Sequence, residues 1–132
     1  MIALDTNVIV RFLVRDDAKQ AEAARRRLKE AERNRERMLV PLLVVLETIW
    51  VLESAYEKTR SEILDSIRDM RQMPVLEFEA DGVIERLLND GGKCKADLAD
   101  ILIAHSAQAA GCESGITFDK DAARLPFFSL LR

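Results

Sequence analysis

Apolar positions along the chain alternate between short continuous runs and longer stretches at helical spacing, the pattern of strands followed by helices. Met1 to Asn7 reads as a strand that stops abruptly on Asp5, Thr6 and Asn7. Val8, Ile9, Phe12 and Leu13 then repeat at helical intervals, with Arg11, Arg15, Asp16 and Asp17 marking the polar side and the end. From Ala18 to Arg37 the residues are almost all strong helix formers, which predicts a long exposed helix. Met38–Leu39–Val40 is a short strand, and Pro41 suits the first turn of a helix running to about Tyr56. Ile63, Leu64, Ile67 and Met70 give an amphipathic helix capped by Ser61 and stopped before Pro74. Val75 to Glu79 predicts a strand near a sheet edge, and Val83, Ile84, Leu87 and Leu88 a helix over Ala80–Asn89. Ala96 to Ala110 predicts a buried helix closed by Gly111. Ser114–Phe118 and the segment after Pro126 supply the last strands. Strands alternating with helices imply an α/β fold with a parallel sheet and right-handed crossovers. The opening strand, with no turn before it, is expected to be central.

Composition narrows the class without naming a chemistry. At 132 residues, 48% hydrophobic and 33% charged, the chain is expected to form one globular domain over residues 1–132, with no run long enough to span a bilayer. The start MIALDTN lacks the basic segment and cleavage site of a secretory signal, so a cytoplasmic location is expected. Cys94 and Cys112 lack metal-site spacing, and His105 is the only histidine. Net charge is only −3, but Arg25, Arg26, Arg27, Lys29, Arg33, Arg35 and Arg37 concentrate cations in one helix. Glutamates interleave with them, so a solvated face with ion pairs between neighbouring turns competes with a phosphate-tracking surface.

The acids change the picture. In a parallel sheet the carboxyl ends of strands and the amino ends of the following helices share one edge, where ligands bind. Asp5 and Asp119 terminate strands, Asp97 and Asp100 open a helix, and Glu47 lies in the early turns of another. Asp97 and Asp100 are three residues apart, about 60° around a helix, so they share a face. Helix capping explains Asp5, Thr6 or Asp97 individually. It does not explain Glu47, which with Thr48 is the only polar residue between Leu42 and Leu52. Such a carboxylate is exposed, paired with an arginine, or a metal ligand. Clustered carboxylates repel unless a divalent cation neutralises them, and an oxygen-only donor set suits Mg²⁺ or Mn²⁺. That chemistry acts on phosphodiesters. The GGK at 91–93 lacks the spacing and the Ser or Thr of a phosphate loop. His105 lies roughly 140° around the helix from Asp100 and reads as a packing or surface residue.

Four stretches together, IALDTNVIVRFLVRDD, LETIWVL, CKADLADILIA and TFDKDAARLP, resemble a PIN-domain ribonuclease of the VapC toxin type. They occur in the family's order and span nearly the whole chain. The resemblance implies a PIN-like three-layer α/β/α fold with a central parallel sheet, Mg²⁺- or Mn²⁺-dependent endoribonuclease activity, and a cognate VapB-type antitoxin. By match of motif it makes Asp5, Glu47 and Asp100 the core ligands and Asp119 the fourth acid, with Thr6, Asn7 and Thr117 in support. Asp97 either supplements Asp100 or caps the helix. LPFF stands where similar toxins often carry a glycine after the proline. The charged helix and the one after Pro41 are where such toxins bind antitoxin and form homodimers, with Leu46, Trp50 and Val51 as candidates. Arg11, Arg15, Lys93, Lys95 and Lys120 are candidate RNA contacts. The rival reading is a non-catalytic PIN scaffold that binds RNA or a protein. A haloacid-dehalogenase-type phosphatase wants an Asp where Asn7 stands, and a receiver domain wants its acids paired early in the chain.

Overall fold

A computed structural model describes all residues from Met1 to Arg132. The chain is α/β with parallel strands throughout, and it divides into two compact units, Met1–Glu79 and Ala80–Arg132.

The first unit runs β1 (Ile2–Ala3), α1 (Thr6–Val14), α2 (Ala18–Arg33), β2 (Met38–Val40), α3 (Leu42–Ser54), α4 (Arg60–Arg71) and β3 (Leu76–Phe78). Its sheet has the order β1-β2-β3, with Ile2 opposite Met38 and Met38 opposite Leu76. Within that ladder β1 is an edge strand rather than the expected central one. β3 lies at the other edge, as its loose alternation predicts. Met38, Val40, Leu76 and Phe78 are buried, as are Ile9, Val10, Val45, Ile49, Ile63 and Ile67 on the helices. Burying each such side chain contributes about 1.5–3 kcal/mol.

Local chemistry sets the helix ends. The long charged helix stops at Arg33, and Arg35 turns into the left-handed region at φ 56°. Asp17 caps α2 by accepting from the Gln20 N–H at 3.0 Å. Thr59, not Ser61, caps α4: its hydroxyl accepts from the Glu62 N–H while Glu62 accepts from the Thr59 N–H, a reciprocal capping box. The Ser61 expectation slipped by two residues because both hydroxyls precede the apolar face, and only Thr59 has Glu three positions on. Pro41 has no side chain able to cap α3. Glu79 supplies the acceptor instead, taking the Leu42 N–H at 2.7 Å.

The second unit runs α5 (Asp81–Gly91), α6 (Leu98–Ala109), β4 (Gly115–Thr117), a 3₁₀ turn (Ala122–Arg124) and β5 (Phe128–Leu130). α5 packs on α6, burying Val83, Ile84 and Leu87 from one and Leu98, Ile101, Leu102 and Ala104 from the other. Gly111, at φ +100°, ends α6 where glycine's freedom is needed. β4 and β5 pair in parallel, Gly115 opposite Phe128 and Thr117 opposite Leu130. No helix in the chain is long and apolar enough to cross a membrane.

Candidate metal-binding and RNA-cleavage residues

In the second unit the turn entering α6 and the loop leaving β4 each present acids. Asp97 occupies the N-cap position of α6, yet its side chain makes no capping hydrogen bond, so the capping explanation fails for it. Asp100 follows in the first turn and is half-buried. Its carboxyl is pushed above the ordinary Asp value of 3.8, first by burial and then by the charges of Asp97 and Asp119. No lysine or arginine forms an ion pair with any of the three. Asp119 is exposed and held by its own loop. The Thr117 hydroxyl accepts from the Asp119 N–H at 3.0 Å, and Asp119 Oδ1 accepts from the Asp121 N–H at 2.9 Å. Thr117 thus shapes the turn that carries Asp119, a supporting part in the literal sense.

In the first unit, Asp5 is the N-cap residue of α1 and caps with its carbonyl, which accepts from Val8 and Ile9. Its carboxylate makes no capping bond and is exposed. Thr6 is only 4% exposed and its hydroxyl has no partner. Asn7 is exposed beside it. Glu47 is also exposed, which resolves the cost of a charge in an apolar helix: α3 buries Val45, Thr48, Ile49 and Leu52 and turns Leu43, Glu47 and Trp50 outward. The Thr48 hydroxyl, next to Glu47, is a second buried group without a partner. Two of the predicted acids are therefore each followed in sequence by an unsatisfied buried threonine.

No three acidic, histidine or cysteine side chains are placed tightly enough to enclose an ion. What fits a divalent metal is the donor chemistry: oxygen-only, mutually repelling within the Asp97–Asp100–Asp119 group, and unrelieved by cations.

The candidate RNA-contacting cations differ in availability. Lys93, Lys95, Lys120 and Arg15 are exposed, and Arg15 sits in the left-handed region at φ 60°. Arg11 is instead engaged inside the first unit. It donates to Gln20 at 2.7 Å, to Asp16 at 3.0 Å and to the Tyr56 hydroxyl at 2.8 Å, while Tyr56 donates to Asp16 at 2.7 Å. The Tyr56 hydroxyl, more than the nearby arginine, holds the Asp16 carboxyl below its ordinary value. Tyr56 lies 45 residues from Arg11, so nothing local in the sequence signals this network. His105 does more than pack: its Nε2 meets Asp90 Oδ2 at 2.6 Å and Nδ1 meets Gln108, tying α6 to the end of α5.

Comparison with known proteins finds similarity along nearly the whole chain. A VapC ribonuclease from Aquifex aeolicus (strain VF5) is 24% identical over 127 residues, covering 96% of this chain and 93% of the relative. No solved structure matches. A family model described as PIN domain matches residues 2–128, and on that match the chain belongs to the PIN-domain family.

Proposed function

We propose that this protein, as a single PIN domain over residues 1–132, is an endoribonuclease that hydrolyses RNA phosphodiester bonds with a divalent ion, Mg²⁺ or Mn²⁺, and is the toxin of a VapBC-type pair. The observation that carries this reading is Asp100, half-buried, its carboxyl raised first by that burial and then by the charges of Asp97 and Asp119, with no ion pair to offset them. Asp97, Asp100 and Asp119 would hold the ion from the second unit. Asp5 and Glu47 are assigned to the same role by their motifs, and both carboxylates are solvent-accessible and unpaired. A bound ion would neutralise the scissile phosphate and lower the pKa of an attacking water. The chain itself fixes Asp119 through Thr117 and presents Asp5 at the start of α1, with Thr6 and Asn7 beside it.

The relative's name supports the ribonuclease assignment, and with it a VapB-type antitoxin as partner. Leu43, at 78% exposure, and Trp50, at 66%, put apolar surface on α3 of the kind an antitoxin or a second copy in a homodimer would cover, with Leu46 and Val51 half-buried beside them. A cytoplasmic location follows from the same reading.

The test is cleavage of total tRNA and of a single-stranded RNA by the purified chain with Mg²⁺ or Mn²⁺, against EDTA and Asp5→Asn controls. Metal-dependent cutting that disappears in Asp5→Asn supports the assignment. Cutting that survives in the mutant refutes it, and a chain that binds no metal by calorimetry is the non-catalytic scaffold instead.

A further inference from the structure

The exposed face of α2 carries a charge pattern that ion pairing does not use up. The helix holds six cations against three acids. Arg25 is locked onto Glu22 by two hydrogen bonds, at 2.7 and 3.0 Å, and Arg27 lies against Glu30 at 3.9 Å and Glu36 at 3.5 Å. Arg26 reaches Glu22 only at 4.0 Å with its side chain 69% exposed, and Lys29 and Arg33 are exposed with no ion pair. At 100° per residue, Arg26, Lys29 and Arg33 fall within about 60° of one another, in a row spanning about 10 Å. A shallow surface hollow of about 650 Å³ lies against this row, with Arg25, Arg27 and one acid, Glu30, also in its lining.

We infer that this face of α2 docks the phosphate backbone of single-stranded RNA, an inference that rests on the ribonuclease reading and names a substrate-holding surface for it. Arginine forks suit phosphate oxygens. The main competitor is an acidic protein segment. The buried core of a protein interface is more apolar and poorer in charge than its rim, and no large apolar side chain is exposed on α2, whereas Leu43 and Trp50 are exposed on α3. Backbone binding through counterion release needs no apolar surface.

The experiment uses the full chain in EDTA, where no cleavage occurs, and a fluorescein-labelled 20-nucleotide single-stranded RNA followed by anisotropy between 50 and 250 mM NaCl. The variant is the triple Arg26→Gln, Lys29→Gln, Arg33→Gln, checked for an unchanged melting profile. Its plot of log affinity against log salt is expected to flatten by about 2, at roughly 0.7 per lost cation on a single strand, with at least tenfold weaker binding at 100 mM. Lys29→Arg alone is expected to keep the wild-type slope, which shows that charge and not the lysine itself is read. Equal slopes for the triple variant and the wild type overturn the inference. So does wild-type chain that ignores RNA in EDTA, or one that binds poly-glutamate more tightly than RNA through the same three residues. Cleavage of the same RNA with Mn²⁺, measured in parallel, reports on the nuclease separately. Cutting together with equal slopes removes the α2 surface and leaves the ribonuclease assignment standing.

Discussion

Gly115 opens β4, and the space a side chain would need there is already filled. A Cβ at this position would lie 2.7 Å from Phe127 Cε2 and 2.8 and 2.9 Å from Phe128 Cε1 and Cδ1. Carbon atoms pack at about 3.5–4.0 Å, so Gly115→Ala requires both rings to move by about 1 Å. The rings are not free to do so. They sit edge to face with centroids 5.1 Å apart, Phe127 is only 8% exposed, and the Phe127 carbonyl accepts from the Gly115 N–H at 2.9 Å. Overpacking of this kind costs about 1–3 kcal/mol, a fall in melting temperature of roughly 3–12 °C for a chain of this size. Thermal denaturation followed by circular dichroism measures it. The mechanism makes a sharper claim than the melting shift: Phe128→Leu removes two of the three clashing atoms, so in the Gly115→Ala background it should cost less than in the wild type. A double-mutant cycle reads that coupling. A melting temperature unchanged within a degree for Gly115→Ala, or a cycle that closes additively, would refute the packing argument. The same β4–β5 pair ends two residues before Asp119, so cleavage by Gly115→Ala should fall as well, though less than for Asp119→Ala.

Asp100→Asn should separate stability from activity. With its folded pKa raised, ionised Asp100 destabilises the metal-free chain progressively as pH rises from the ordinary 3.8 through the higher folded value. At neutral pH the Asn variant is therefore expected to melt higher than the wild type without metal, yet to cleave no RNA and to gain nothing from added Mn²⁺ in a thermal-shift assay; a lower melting temperature would contradict the repulsion. Thr59→Ala removes one half of the capping box on α4 and should cost about 1 kcal/mol in urea denaturation. Glu62, the other half, is held below its ordinary 4.5 chiefly by the Thr59 N–H, so its contribution is present above that value and disappears as pH falls through the lower folded one. Thr59→Ala keeps that N–H, so the acid limb of the stability curve should survive largely intact in it and flatten in Glu62→Gln; an unaltered limb in Glu62→Gln would assign the acid loss elsewhere. Tyr56→Phe deletes the hydroxyl between Arg11 and Asp16 and should return the Asp16 carboxyl toward its ordinary value in an NMR titration; no movement would mean Arg11 alone sets it.

Periodicity alone placed nearly every element, because helices here alternate buried and exposed faces at 3.6 residues and strands are short apolar runs between turn residues. α5, α6 and β2 lie within a residue or two of where the pattern put them, and Gly111 closes α6 through the positive φ that only glycine adopts cheaply. The four acid-bearing stretches were legible as well, since their order along the chain is a property of sequence, and all four lie within the family match over residues 2–128. Tertiary structure decided what no window of sequence holds. Glu47 reads as a buried charge because its neighbours are apolar, but α3 exposes two of those apolar residues along with it, and only the packing of the helix on its unit selects the face. Asp97 and Asp5 read equally well as caps until the positions of their carboxylates show no bond to the helix. Glu79 caps α3 from 37 residues away, and Tyr56 joins Arg11 from 45. Burial and long-range hydrogen bonds depend on which surfaces meet, and that is fixed by the fold and not by the neighbours of a residue in the chain.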